Sequence, residues 1–138
     1  WTSRAMPEYR LPIRVYIEDT DAGGIVYYVN YLKYFERART ELIRSLGVDK
    51  TAVMEDGSVF VVTSASINYH APARLDDQLE SVAEVVGSGA ATIEFRQSVV
   101  RSGIELATGQ VMVALTDGSS GKPKRMPKGL RELLTLST

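Results

Sequence analysis

One stretch of this chain can form a long helix, and that limits the fold more than any other feature. From about Tyr28 to Leu46 the apolar residues Tyr28, Tyr31, Leu32, Phe35, Ala38, Leu42, Ile43 and Leu46 recur at intervals of three and four, with Gly47 as a natural stop. This is one face of an amphipathic helix, and the face has to be buried against something. After the polar Asp56-Gly57 the pattern switches to period two over Val59–His70, Gln78–Val86, Ala91–Arg101 and Ile104–Thr116. With Ile13–Ile17 ahead of the helix, where Pro12 suits an edge or a strand start, the strands number about five. Gly87-Ser88-Gly89 and Ser102-Gly103 are hairpin-type turns, so the strands they join are expected to be antiparallel neighbours. In Ala91–Val99, Thr92, Glu94, Arg96 and Ser98 alternate with Ile93, Phe95, Gln97 and Val99, which predicts one wet face and one face covering the helix. The expected class is α+β: one long central helix wrapped by an antiparallel sheet, with a short terminal helix at Leu130–Leu136.

Composition then limits the chemistry. The chain has no cysteine and one histidine, His70, which removes thiol nucleophiles, iron–sulfur clusters and cysteine-ligated zinc; no metal site is expected. Sixteen basic residues against seventeen acidic ones give no global attraction to nucleic acid. No apolar run is long enough to insert into a membrane, and the expected compartment is the cytoplasm. Residues 1–5 read as an expression remnant ahead of Met6, and residues 6–138 as a single domain. Chemistry must come from carboxylates, hydroxyls or backbone dipoles.

Glu18-Asp19-Thr20-Asp21-Ala22-Gly23-Gly24 disfavours both helix and strand and predicts a turn directly before the helix. Asp21 would stand there as an ionised carboxylate, Gly23 would serve the turn and Gly24 would let a substrate approach the backbone. A helix starting at Tyr28 leaves unpaired N–H groups and a positive dipole end, a site suited to an oxyanion. On composition alone, Asp19, Thr20 and Asp21 read more readily as turn and capping residues than as catalysts. Tyr27, Tyr28, Tyr31 and Tyr34 read as core or interface aromatics, with Tyr31 also a candidate substrate contact. His70, at a strand end, reads as a surface or interface residue, Glu36 with Arg39 as a helix-face ion pair, and Asp76-Asp77 as turn chemistry. The one dense basic segment, Lys122 to Lys128, is either a solvated loop or, through Lys124 and Arg125, a partner for phosphates.

The stretch Asp19 to Tyr31, continued by Phe35-Glu36-Arg37-Ala38-Arg39 and by Tyr69 and Pro72 to Asp77, resembles the signature of hotdog-fold acyl-CoA thioesterases of the 4-hydroxybenzoyl-CoA thioesterase type. Within these it is most similar to the Tol-Pal-associated bacterial branch, and the likeness runs from about Arg10 to Leu134. That branch usually carries His where this chain has Tyr28, whereas the 4-hydroxybenzoyl-CoA enzyme carries Tyr. The resemblance implies hydrolysis of acyl-CoA to free acid and coenzyme A. Asp21 would be nucleophile or general base, and the backbone N–H of Tyr28 would polarise the carbonyl. It implies no cofactor, since coenzyme A is part of the substrate, and an acyl carrier protein as a second possible carrier. It also implies a homodimer or homotetramer in which Asp21 of one chain lies near Val59–Thr63 of another. In the resembled aromatic enzyme a basic cluster near the third and fourth strands holds the nucleotide; here that position reads Gly87-Ser88-Gly89-Ala90-Ala91, so Lys124 and Arg125 become the candidates. A hotdog dehydratase ranks well below, because that chemistry uses a histidine base and His70 lies outside the helix-start motif. The non-enzymatic alternative is an acyl-CoA or acyl-carrier-protein binding module associated with an envelope complex.

Overall fold

Five strands form one antiparallel sheet in the order β1-β3-β4-β5-β2, in a computed structural model that describes residues 7–48 and 56–135. The strands are β1 (Glu8–Arg14), β2 (Ser58–Tyr69), β3 (Gln78–Ser88), β4 (Thr92–Arg101) and β5 (Ile104–Asp117); the helices are α1 (Asn30–Ser45) and α2 (Lys128–Thr135). The α+β arrangement is the expected one. The expectation for residues 1–5 falls outside the described residues, as does Leu136 of the expected terminal helix.

The two glycine turns do join antiparallel neighbours, so β3, β4 and β5 form a meander. β2 does not pair with the strand that follows it: it lies beyond β5, with Ser58 opposite Asp117 and Tyr69 opposite Ala107. The segment 70–77 carries the chain across the sheet to β3. β1 runs Glu8–Arg14, not Ile13–Ile17 as expected, because the chain leaves the strand at Val15 and enters a 3-10 turn at Ile17–Asp19. Pro12 sits within this edge strand, where a missing N–H is tolerated.

Helix α1 buries Tyr31, Tyr34, Phe35, Ala38, Leu42 and Ile43 against the sheet, and Gly47, with φ +97, ends it as expected. Its close seat depends on Gly109 of β5. A Cβ there would stand 2.4 Å from the Ser66 carbonyl oxygen and 2.8 Å from the Phe35 ring. In β4 the residues Ile93, Phe95, Gln97 and Val99 are buried as the alternation predicts. Ser98, expected to be wet, is buried as well, because this short side chain lies between Val82 and Thr108 on the flanking strands. Met126, Leu130 and Leu134 bring the C-terminal segment into the same core.

Candidate active site

Asp21 opens the turn that its composition predicted. Its N–H donates to the Ile25 carbonyl at 2.9 Å, its carbonyl accepts the Gly24 N–H at 3.0 Å, and its Oδ1 accepts the Gly23 N–H at 2.9 Å. The carboxylate is thus held by one backbone donor on an exposed loop. The turn role expected of Gly23 falls to Gly24. Gly24, with φ +77, supplies the left-handed backbone, and the space beside it is open; a Cβ on Gly23 would stand 3.3 Å from Asp21 Oδ1.

The loop is tied to the segment 70–77. Val26 N–H donates to the Ala73 carbonyl at 2.8 Å and Leu75 N–H to the Gly24 carbonyl at 3.1 Å. That segment is braced in turn by Asp77, whose Oδ2 accepts the Arg74 N–H at 2.8 Å and the Arg101 guanidinium at 2.6 Å. Burial would raise the Asp77 carboxyl, but these donors outweigh it and hold it below the usual carboxylate range. Asp76 takes φ 72, which aspartate tolerates in turns. Asp19 ties the same loop to α1: its carbonyl accepts the Tyr27 N–H at 2.9 Å and Asn30 Nδ2 at 2.8 Å, and its carboxylate accepts the Tyr16 N–H at 2.9 Å.

The helix begins at Asn30, two residues later than the periodicity indicates, and its lead-in is tightened by bonds between residues three apart. Tyr28 lies in this lead-in, and among the described residues its N–H meets no acceptor. The Tyr28 carbonyl accepts the Tyr69 hydroxyl at 3.0 Å. Beside it is a cleft of about 370 Å³ lined by Ile25, Val26, Tyr28, Tyr31, Tyr69 and His70, with Ala71 and Pro72. Tyr31 presents its ring to this cleft, but its hydroxyl is already used, accepting the Ala73 N–H at 3.0 Å. His70 is exposed, as expected for a surface residue, yet it shares the cleft with Tyr28 and its Nε2 lies 2.9 Å from Thr108 Oγ1. Asp21 itself does not line this cleft; its loop contributes Ile25 and Val26 to the wall.

The basic segment lies elsewhere. Lys124 N–H donates to the Leu115 carbonyl, and its ammonium pairs with Asp56 at 2.9 Å, next to the Ser58 end of β2. Tyr69 ends the same strand, so roughly 36 Å of β2, at about 3.3 Å per residue, separates the Lys124–Arg125 segment from the Tyr28 cleft within one chain. Asp56 is held well below the usual range, first by Ser58, whose N–H donates to its Oδ1 at 2.9 Å, and then by the Lys124 ammonium. Arg125 is exposed. Glu36 and Arg39 do not form the expected ion pair: Glu36 accepts the Thr40 hydroxyl at 2.6 Å, and Arg39 turns inward to Gln97 Oε1 at 2.9 Å. Buried Gln97 reaches onward to the Phe35 carbonyl, so Arg39 is spent on seating the helix. Among the described residues no group of three acidic or histidine side chains could hold a metal, and no helix is long and apolar enough to cross a membrane.

Sequence reasoning missed the use of Tyr69 and Tyr31 as hydroxyl tethers. Their period placed them on buried or half-buried faces, but their partners come from segments 41 and 42 residues away.

Residues 15–134 match the thioesterase-like superfamily. The chain is 40% identical over 123 residues to the acyl-CoA thioester hydrolase YbgC of Escherichia coli O6:H1, covering 88% of this chain and 92% of that protein. It is 42% identical over 124 residues to the acyl-CoA thioesterase YbgC of Haemophilus influenzae, covering 89% and 91%. The crystal structure of a probable thioesterase from Bartonella henselae superposes with a TM-score of 0.79 at 34% identity, covering 88% of this chain and 98% of that one.

Proposed function

The chain belongs to the thioesterase-like superfamily, with the hotdog fold, and from that membership we propose that it is a cytoplasmic enzyme, one domain over residues 6–138, that hydrolyses acyl-CoA thioesters to free acid and coenzyme A. Its finer placement, in the Tol-Pal-associated branch of the 4-hydroxybenzoyl-CoA thioesterase type, rests on the stretch Asp19 to Tyr31. The observation that carries the functional reading is a carboxylate on a braced turn, joined by a short loop to a helix start whose Tyr28 N–H has no acceptor among the described residues.

The thioester carbonyl oxygen is polarised by the Tyr28 N–H, with the helix dipole behind it. In one course Asp21 attacks the carbonyl carbon, the carbon–sulfur bond breaks, coenzyme A leaves as thiolate, and water hydrolyses the mixed anhydride. In the other, Asp21 takes a proton from the attacking water and the thiolate leaves from the tetrahedral intermediate. Gly24 leaves open space beside the loop, and the Tyr31 ring forms a wall for the acyl group.

The site is completed by a second copy of the chain. β2 is a twelve-residue edge strand with Val61 and Val62 exposed, an edge that invites pairing. Two-fold antiparallel pairing of two such edges sets the Ser58 end of one strand beside the Tyr69 end of the other. Val59–Thr63 of the partner subunit would then lie near Asp21, and Lys124 and Arg125 of the partner subunit would come within reach of the coenzyme A phosphates. The assembly is a homodimer or a pair of such dimers.

The test is release of free thiol from a panel of short-chain, long-chain and aromatic acyl-CoAs and from acyl carrier protein thioesters. Turnover supports the reading; binding without turnover selects an acyl-CoA or carrier-protein binding module. A Lys124→Ala/Arg125→Ala variant should flatten the fall of kcat/KM with salt. Equal salt slopes would remove those residues from the site.

A further inference from the structure

The peptide unit that carries the Tyr28 N–H lies outside the regular bonding of α1. Tyr28 is 58% exposed, and the cap residue Val29 offers no side-chain bond. Its orientation is fixed from both sides. Upstream, Tyr27 N–H donates to the Asp19 carbonyl at 2.9 Å; downstream, the Tyr28 carbonyl accepts the Tyr69 hydroxyl at 3.0 Å and, at 3.3 Å, the Tyr31 N–H. The peptide's own carbonyl, that of Tyr27, accepts the Asn30 N–H at 2.8 Å, so the Tyr28 N–H is the group left unspent among the described residues. The longest reach among these bonds is that of Tyr69, the last residue of β2, whose backbone is locked into the sheet opposite Ala107. Its ring also stands edge-on to Tyr28 at 6.2 Å and to Tyr31 at 5.3 Å, so the hydroxyl is aimed by packing.

We propose that Tyr69 is a positioning residue for thioester hydrolysis: its hydroxyl anchors the Tyr28 carbonyl to the end of the sheet and so aims the Tyr28 N–H at the oxygen that becomes negative in the transition state. This rests on the thioesterase reading given above. An oxyanion donor is effective in proportion to its preorganisation, because a donor that must be reoriented during the reaction gives back what it stabilises. The turn bonds of the lead-in tie this peptide only to its chain neighbours, and the Tyr69 hydroxyl ties it to the sheet. Burial also raises the Tyr69 phenol, which keeps it a donor throughout the neutral range.

Tyr69→Phe removes the oxygen and retains the ring. With the same acyl-CoA, kcat should fall about tenfold or more while KM stays within about twofold, since misplacing a catalytic group carries penalties up to about a hundredfold. A trifluoromethyl ketone analogue of acyl-CoA, which places an oxyanion in the site, should lose affinity by a similar factor; a thioether analogue without the carbonyl should bind equally well to both proteins. In ¹⁵N relaxation of the unliganded protein, the Tyr28 amide should drop from a rigid order parameter of about 0.85 toward 0.6. That readout needs no turnover, so it stands even if the wild type hydrolyses nothing and the thioesterase reading fails. An unchanged Tyr28 order parameter overturns the inference, as does wild-type kcat in a hydrolytically active protein. Equal losses for both analogues, or a raised KM at constant kcat, would show that the hydroxyl meets the substrate and would overturn it too.

Discussion

Replacing Tyr31 by Phe separates two uses of one side chain. Tyr31 is 3% exposed, its ring walls the Tyr28 cleft, and its hydroxyl accepts the N–H of Ala73, which is fully buried. Phenylalanine keeps the ring and opens no sizeable cavity, so the expected loss is that of one buried donor without its partner, about 1–3 kcal/mol. A middle value of about 2 kcal/mol lowers Tm by roughly 7 °C for a chain of 138 residues, at an unfolding entropy of about 2.1 cal/mol/K per residue. The assay is thermal unfolding by calorimetry at a fixed protomer concentration, because association shifts Tm by mass action. Thiol release is measured on the same preparations, with KM expected within about twofold of wild type, since the ring facing the cleft is unchanged. A variant that melts with the wild type but shows a tenfold higher KM would refute this reasoning, because the hydroxyl would then be serving the substrate and not the Ala73 N–H.

Asp77→Asn should cost about 1 kcal/mol at pH 7, a figure discounted for the partial exposure of the Asp77–Arg101 pair. Because the folded Asp77 pKa lies below its unfolded value of about 3.9, that stabilisation is fully present above about pH 5 and lost as pH falls through the folded value, so the gap to wild type in urea unfolding should narrow steadily as the pH is lowered from about 5. A gap that did not narrow at all as the pH fell through the carboxylate range would contradict the assignment. Gly109→Ala forces a Cβ to within 2.4 Å of the Ser66 carbonyl and should destabilise by about 3 kcal/mol or prevent folding, seen in the urea midpoint or the soluble yield; a variant as stable as wild type would mean that α1 is not seated so closely. Val62→Lys places a charge on the β2 edge and should yield monomers by sedimentation with thiol release reduced about tenfold or more; an active monomer would show that the site needs no second copy.

The sequence declared most of the fold because its periods are local. The three-and-four spacing from Tyr28 to Leu46 marks α1, and the alternation around Ile93 and Phe95 marks the face beneath it. Sheet order was less legible: hairpin turns fix β3-β4-β5, but no local signal places β2 beyond β5 once the connection is longer than a hairpin. Helix boundaries moved by two residues where turn bonds around Tyr28 competed with the helical pattern. At the site, the Asp21 turn was readable from its acids and glycines, and the unpaired Tyr28 N–H from the nearness of a helix start. The inward turn of Arg39 to Gln97, the Tyr31–Ala73 bond and the Tyr69–Tyr28 bond were not readable, since each joins residues 41 to 58 positions apart. Tertiary contact alone decides whether a tyrosine hydroxyl on an apolar face is spent or free.

The central claim is that one carboxylate, Asp21, carries the reaction. The most direct measurement is kcat for thiol release by Asp21→Asn beside the wild type, on the best substrate of the panel, with both proteins melting alike. Asn keeps the size of the side chain and an oxygen able to accept the Gly23 N–H, while removing the negative charge. The account predicts a fall of at least about a hundredfold, the scale of a lost catalytic base or nucleophile. Near-normal hydrolysis by that variant would contradict it.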